Sequence, residues 1–186
     1  DGRGQPLSGK GGLPKLFRDT PEYSLFVGEA GAAYDWKEKV AGVTTEHKPL
    51  KLWIRQVLFL KPSAVIVWDR VDKVKPESVV RWHLNTRHPL GGNSITEGGS
   101  KADWTRLVGG PWTEWPLVLS REGGITSWRN QVDAGSPRSS DLFLNVLQCG
   151  PTGFTPEKVA LVKCDGAGWA VQVGARRVSC TKEGVV

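Results

Sequence analysis

The chain has 186 residues, 39% of them hydrophobic and nine of them tryptophan, which is enough for one substantial domain with a packed core and argues against disorder. Its 25 basic and 19 acidic residues give a net charge of +6, which favours anionic partners, although a solvated basic surface would account for the same charge. No apolar run approaches the ~20 residues of a membrane-spanning helix, and no zinc-finger, helix-turn-helix or RNA-recognition pattern supports binding to nucleic acid.

The first half of the chain is predicted to consist of strands after a short irregular segment. Residues 1–22 are rich in Gly, Pro, Lys and Arg and predict an irregular lead-in. Strands are predicted at residues 23–27 and 32–40, followed by a turn around His47. Three longer runs come next: LWIRQVLFLKP, SAVIVWDRVDKVKP and ESVVRWHLN. Because β-branched and aromatic residues dominate these runs and prolines separate them, they predict three strands.

The second half of the chain continues the same pattern. A loop is predicted over residues 87–100, and weaker strands over residues 104–108, 117–121 and 126–131. The run DLFLNVLQC predicts a clear strand, and KVALVKCDG and GWAVQVGARRVSCTK predict a hairpin-like pair joined by Asp165 and Gly166. With about ten to twelve strands and no helical period, the sequence predicts an all-β fold, a two-sheet antiparallel β-sandwich, with an up-and-down barrel as the alternative.

The run ESVVRWHLN carries the main candidate site. Its residues alternate, so that Arg81, His83 and Asn85 share one face and Val80, Trp82 and Leu84 share the other. These three polar residues form a row of donors about 13 Å long at ~3.3 Å per residue, which suits binding of carboxylate or sulfate, or packing against another domain. The alternative is that His83 only hydrogen-bonds a neighbouring strand. The predicted core comprises Val80, Trp82, Leu84, Val65, Val67, Leu142 and Leu144.

Two tryptophans in the segment GGPWTEWP are the other candidate binding residues. Trp112 and Trp115 are predicted in a loop, where their rings could stack on a sugar ring; the alternative is core packing at the edge of the sandwich. With Arg81 and Asn85, they complete the predicted set of substrate-binding residues.

Motifs for common catalytic chemistries are missing from the sequence. It contains no nucleophile elbow, no phosphate-binding loop and no zinc-ligand spacing. Cys149, Cys164 and Cys180 are odd in number and widely spaced, so free buried thiols are predicted; the alternative is one bridge among the three, between Cys149 and Cys164 or any other pair.

Several segments together resemble a known family. DGRGQP at residues 1–6, GEAGAAY at 28–34, RQVLFLKPSAVIVWDRV at 55–71, WHLN at 82–85 and DLFLNVLQ at 141–148 follow one another in this order. They resemble the C-terminal β-sandwich region of the heparinase II/III-like polysaccharide lyases. The resemblance implies an upstream helical-toroid domain, β-elimination on uronic-acid-containing polysaccharide, and a periplasmic or secreted location. Since the chain lacks methionine and begins at Asp1, we expect residues 1–186 to be a single β-sandwich domain and a C-terminal fragment of such a protein.

The resemblance also implies a division of roles among residues. The family's catalytic residues lie in the toroid and just before the segment at Asp1, so no catalytic residue is predicted in this chain. Glu29 of GEAGAAY and His83 of WHLN match positions that hold a structural metal in some members, and zinc suits an imidazole ligand. A zinc site at Glu29 and His83 is therefore predicted.

Three functions are consistent with the sequence. The first is the accessory sandwich of an anionic-polysaccharide lyase. The second is an autonomous carbohydrate-binding module, and the third is a structural interaction domain. The first of these predicts a large, partly apolar face left exposed in the isolated domain.

Overall fold

The computed structural model describes residues 11–118, 125–135, 137–181 and 184–185, in which the backbone forms sixteen strands, one 3-10 helix and no α-helix. The strands are β1 Leu13–Asp19, β2 Tyr23–Glu29, β3 Trp36–Val40, β4 Val43–His47, β5 Leu50–Leu60, β6 Ala64–Lys73, β7 Arg81–Thr86, β8 Ser94–Glu97, β9 Ser100–Val108, β10 Trp112–Val118, β11 Ile125–Asp133, β12 Ser140–Pro151, β13 Val159–Asp165, β14 Gly168–Val173, β15 Arg176–Thr181 and β16 Gly184–Val185. The all-β prediction is confirmed.

The strands form four antiparallel sheets instead of the predicted two. A seven-stranded sheet has the order β1-β2-β5-β6-β12-β9-β8, and a four-stranded sheet has the order β13-β14-β15-β16. A three-stranded sheet has the order β10-β11-β7, and β3 pairs with β4 as a separate hairpin. The prediction of a simple two-sheet sandwich with ten to twelve strands was therefore wrong in strand number and in sheet number.

Both faces of the seven-stranded sheet pack against other sheets, because its central strand β6 has apolar side chains on both faces. Ile66 and Trp68 of β6 pack on the four-stranded sheet in a cluster that includes Trp169 and Val171. Val67, which points to the opposite face, packs on the three-stranded sheet in a second cluster. A strand buried on both faces is a continuous apolar run, as in SAVIVW. The result is three stacked layers with the seven-stranded sheet in the middle.

The predicted core is confirmed in part. Trp82 and Leu144 are buried, whereas the other predicted core residues are partly buried. The partly buried set is Val65, Val67, Val80, Leu84 and Leu142. These side chains face the smaller three-stranded sheet or lie near the ends of their strands, where other side chains cover them only in part.

The prediction of an irregular lead-in over residues 1–22 was wrong where the structure describes it, because β1 lies within it. Leu16 and Phe17 pair with Val27 and Phe26 of β2, a contact that local composition does not reveal. Pro14 fits because β1 is an edge strand with an irregular register beside that proline. Residues 1–10 lie outside the described part.

Other boundaries differ from the prediction for local reasons. The predicted strand at residues 32–40 begins as the 3-10 helix Gly31–Tyr34. This helix packs beside β5, since a Cβ at Gly31 would lie 3.4 Å from the Trp53 nitrogen, at van der Waals contact. The predicted turn at His47 is the end of β4, and the predicted loop over residues 87–100 contains β8. Gly174, at φ +57°, divides the last predicted run into β14 and β15.

An exposed apolar strip lies at one edge of the seven-stranded sheet. Phe17 and Phe26 are directly opposite each other on β1 and β2, with side chains 71% and 41% exposed. Val57 of β5 continues the row beside Phe26 and is partly buried. We call Phe17, Phe26 and Val57 the apolar strip. It lies on the same side of the sheet as Val67, with which Val57 pairs.

The three cysteines are free thiols, so the alternative of one bridge among them was wrong. Cys149 is exposed, contrary to the prediction of buried thiols, whereas Cys180 is buried and Cys164 partly so. Burial raises the pKa of Cys164 to about 11 and that of Cys180 to about 12.

Alkylation with iodoacetamide at mildly alkaline pH should therefore label Cys149 first. We expect Cys164 and Cys180 to react on the order of 100-fold more slowly, because the thiolate is the nucleophile and both thiols stay protonated. Mass spectrometry of timed digests measures the three rates, and denatured protein provides the control in which all three react alike. Equal rates in the folded protein would contradict the burial of the two thiols.

Among the described residues, no helix combines the length and apolarity needed to cross a lipid bilayer.

Candidate functional site

The outer surface of the three-stranded sheet brings most of the predicted binding residues together. Because Trp82 is buried against the seven-stranded sheet, its neighbours Arg81, His83 and Asn85 point outward. Strand β11 lies at the centre and pairs with both β7 and β10. We call this outward surface the polar face. Its residues are Arg81, His83 and Asn85 of β7, Arg129, Gln131 and Asp133 of β11, and Thr113 and Trp115 of β10.

The register of the strands arranges these side chains in rows across the sheet. Arg81 is opposite Asp133, and His83 is opposite Gln131. In the last row, Arg129 lies between Asn85 on one side and Trp115 on the other. Directly opposed side chains on antiparallel strands have Cβ atoms about 5 Å apart. The last row therefore combines a cation, an amide and an aromatic ring within reach of one small chemical group.

A chain of hydrogen bonds fixes the tautomer of His83. The Gln131 amide nitrogen donates to Asp133 Oδ1 at 2.6 Å, which leaves the Gln131 oxygen 3.0 Å from His83 Nε2. Since an amide oxygen only accepts, Nε2 carries the hydrogen and Nδ1 of the neutral ring is an acceptor. Arg81 forms an ion pair with the same carboxylate, with its Nε 3.4 Å from Asp133 Oδ1.

The electrostatics of the polar face favour the neutral form of His83. Desolvation of the ring lowers its pKa most, and the positive charges of Arg129 and Arg81 lower the pKa further. The hydrogen bond to Gln131 and the charge of Asp133 act in the opposite direction without reversing the shift. The imidazole is thus a neutral, oriented side chain at neutral pH.

Trp112 is not part of the polar face. It lies on β10, not in a loop, and its ring packs edge-on to Trp104 at a centroid distance of 6.0 Å. The Arg106 guanidinium carbon lies 4.4 Å from the Trp112 ring and 4.7 Å from the Trp104 ring. The core-packing alternative therefore describes Trp112, whereas Trp115, also on β10, lies on the polar face beside Arg129.

Glu29 and His83 are not brought together. Glu29 is on the same face of β2 as Val27, which belongs to the cluster beneath the four-stranded sheet. The Glu29 carboxylate pairs with Lys15 at 2.9 Å. His83 lies on the other side of the seven-stranded sheet and is engaged by Gln131. Within the described ranges, no three His, Cys, Asp or Glu side chains are grouped to hold a metal. These two residues do not fit a shared zinc ion in this arrangement, and zinc binding remains a prediction that would require other ligands.

The two tyrosines lie away from the polar face. Tyr23 packs beside the cluster beneath the four-stranded sheet, and Tyr34 packs on Trp53 with ring centroids 4.9 Å apart. Burial is the main cause that raises the pKa of Tyr34. The polar face therefore contains an imidazole but no phenol.

The sequence-based prediction did not include Arg129 and Gln131, which form the centre of the polar face. A usable signal was present in RNQVD, where Arg129, Gln131 and Asp133 alternate with Asn130 and Val132. The polar Asn130 obscured that alternation. It is fully buried, and its amide nitrogen donates to Leu84 O and to Thr86 Oγ1, each at 3.2 Å.

The sheet arrangement of the chain is shared with a class of polysaccharide-cleaving lyases. The heparan sulfate lyase HepC from Pedobacter heparinus matches with a TM-score of 0.55 and 8% identity over 94% of this chain and 27% of that chain. A heparinase III gene product matches with a TM-score of 0.61 and 13% identity over 90% of this chain and 27% of that one. A further heparinase III structure gives a TM-score of 0.57 and 10% identity over 94% and 27%.

At these identities the likeness establishes the fold, and the predicted resemblance to heparinase-type lyases is confirmed at that level. The chain spans about a quarter of the length of each of these structures. No protein-family model and no curated protein matches the chain in sequence.

Proposed function

We propose that the chain is the non-catalytic β-sandwich portion of a heparinase-like polysaccharide lyase. In the full-length protein it forms one wall of the cleft for a uronic-acid-containing polysaccharide, which the enzyme cleaves by β-elimination. The observation that carries this proposal is the likeness of at least 90% of the chain to part of each heparinase structure.

The polar face supports the role in binding. Arg81 and Asn85, predicted from the sequence to contact substrate, lie there with Trp115. An aromatic ring beside guanidinium and amide donors suits an acidic sugar, since the ring can stack on the sugar and the donors bind its charged group. The net charge of +6 adds long-range attraction for a polyanion.

The non-catalytic role rests on what β-elimination requires. The reaction needs a base for the proton at C5, an acid for the leaving oxygen and neutralisation of the uronate charge. His83 is the one imidazole on the polar face, and both tyrosines lie elsewhere. The described polar face thus contains one acid–base candidate and not a pair, which supports placing the acid–base pair in another part of the full-length protein.

The apolar strip supports contact with a second domain. Phe17 and Phe26 expose large aromatic surfaces side by side, which single domains rarely leave uncovered. We propose that a helical-toroid domain of the same polypeptide covers the strip, in a periplasmic or secreted enzyme. The alternative is an autonomous carbohydrate-binding module, and the position of Trp115 on the outward face of the three-stranded sheet is the observation that favours it.

Calorimetry with a heparan sulfate oligosaccharide tests the binding role. The purified chain should bind, Asn85→Ala and Trp115→Ala should each weaken binding by about tenfold, and Arg177→Ala on the four-stranded sheet should change it less than twofold. Ultraviolet absorbance of unsaturated uronate should stay at background with the chain alone. Product formation by the chain would refute the non-catalytic role, and lack of binding would refute the binding role.

A second measurement separates the lyase portion from the autonomous module. In the full-length protein, combining Phe17→Ser with Phe26→Ser should lower lyase activity, because the interface with the catalytic domain is weakened. The same pair in the isolated chain should leave oligosaccharide affinity unchanged. Full activity of the doubly substituted full-length protein would favour the autonomous module.

A further inference from the structure

Arg129 of the polar face differs from the other partly buried arginines of the described chain in its lack of a partner. Five of the described arginines are partly buried: Arg55, Arg70, Arg106, Arg129 and Arg176. Arg55, Arg70 and Arg176 each pair with a carboxylate, of Asp69, Asp72 and Glu157 respectively. Arg106 donates to Asn93 and lies against two indole rings. Arg129 has no such partner among the described residues, and its Nε is buried without a hydrogen bond.

The neighbours of Arg129 do not neutralise its charge. Asp133, on the same strand, is engaged by Gln131 and by Arg81. The nearest ionisable group in the register is His83, whose pKa is lowered mainly by desolvation of the ring, so that it is neutral at neutral pH. The pair of Arg81 with Asp133 has no net charge, so the polar face carries one uncompensated positive charge at Arg129.

The groups beside Arg129 suit an anionic oxygen ligand attached to a ring. Asn85 lies directly opposite on β7, is exposed, and has amide protons to donate. Trp115 lies directly opposite on β10, and no cation–π contact occupies its ring among the described contacts. A guanidinium binds carboxylate or sulfate with two parallel hydrogen bonds, and a neighbouring aromatic ring supports the attached sugar.

We propose that Arg129 and Asn85 bind the acidic group of a saccharide whose ring stacks on Trp115. This proposal rests on the proposed function and names a residue and a chemical group that the resemblance does not supply. Arg129 recognises the anion, whereas Arg81 pairs with Asp133, the carboxylate that accepts the Gln131 amide. Specificity for an acidic sugar over a neutral one therefore resides in the Arg129 row.

Three variants test this assignment in calorimetric titrations with a heparan sulfate oligosaccharide. Arg129→Gln removes the charge, Arg129→Lys keeps the charge but lacks the planar fork, and Arg177→Gln removes an exposed charge from the four-stranded sheet. We expect Arg129→Gln to weaken binding by about 10- to 100-fold, Arg129→Lys to weaken it less, and Arg177→Gln to change it less than twofold. The melting temperature of Arg129→Gln should be equal to or above that of the parent chain, because an unpaired cation is lost.

The outcomes separate this inference from the proposed function. If the parent chain binds and Arg129→Gln binds as well as Arg177→Gln, the assignment of Arg129 is wrong while the binding role stands. If the parent chain does not bind, both are wrong. A chemically desulfated oligosaccharide distinguishes the two anions: retained dependence on Arg129 identifies the carboxylate, and lost dependence identifies the sulfate. A lowered melting temperature with unchanged affinity would show that Arg129 is structural and would overturn the proposal.

Discussion

Replacing Lys73 by methionine is expected to destabilise the protein by about 3–5 kcal/mol, the usual result of removing one partner of a buried ion pair. Lys73 and Asp141 form such a pair, with Nζ 2.9 Å from Oδ2 and side chains 2% and 1% exposed. Without Lys73 the Asp141 carboxylate remains buried, with Arg138 at 3.9 Å as the closest remaining cation. Urea unfolding followed by tryptophan fluorescence measures the loss.

The double variant Lys73→Met with Asp141→Leu is the matched control. Because it removes both charges, most of the lost stability should return. Recovery should be incomplete, since the Lys73 ammonium also donates to the carbonyls of Pro76 and Ser78. A single variant within about 1 kcal/mol of the parent chain would show that the pair is dispensable.

Replacing Trp104 by alanine should cost about 3–5 kcal/mol as well, through the cavity it leaves. Its ring is 2% exposed and stacks on Trp82 with centroids 5.5 Å apart. Its Nε1 donates to Asn145 Oδ1 at 2.9 Å, so the substitution also leaves a buried amide unpaired. Since these contacts attach the three-stranded sheet to the seven-stranded sheet, oligosaccharide affinity should fall together with stability.

Trp115→Ala provides the comparison with the same change of residue type. Trp115 lies on the polar face, so its loss should cost at most about 1–2 kcal/mol of stability while weakening saccharide binding. Thermal melts and calorimetric titrations of the two variants measure both effects. Equal losses of stability would contradict the assignment of the two rings to opposite sides of the three-stranded sheet.

Strand positions were predictable from the sequence because they depend on neighbouring residues, whereas the pairing of distant strands was not. The runs around β5, β6 and β7 were predicted because dense β-branched and aromatic residues report strand conformation directly. The alternation around Trp82 gave the two faces of β7 correctly for the same reason. The sheet partners of β7 were not predictable from it, since its pairing with β11 joins segments more than forty residues apart.

The candidate site shows the same limit. Arg81, Asn85 and Trp115 were selected from residue type, and the structure brings them onto one face. Arg129 was missed because its importance lies in its central strand and in the lack of a partner, which are properties of the assembled sheet. The pairing of Glu29 with His83 came from resemblance alone, and the order of strands separates them.

The three-layer arrangement also determines which parts of the molecule can move separately. Strands β6 and β12 are hydrogen-bonded on both sides and covered on both faces, so their amides reach solvent only when most of the structure unfolds. The three-stranded sheet shares no ladder with them in the described part of the chain and is held by side-chain packing. The three-stranded sheet, with its polar face, can therefore shift slightly as a unit while the amides of the seven-stranded sheet still exchange slowly. In the proposed role as a cleft wall, the polar face could thus adjust to polysaccharide chains of different shape while the centre of the molecule stays intact.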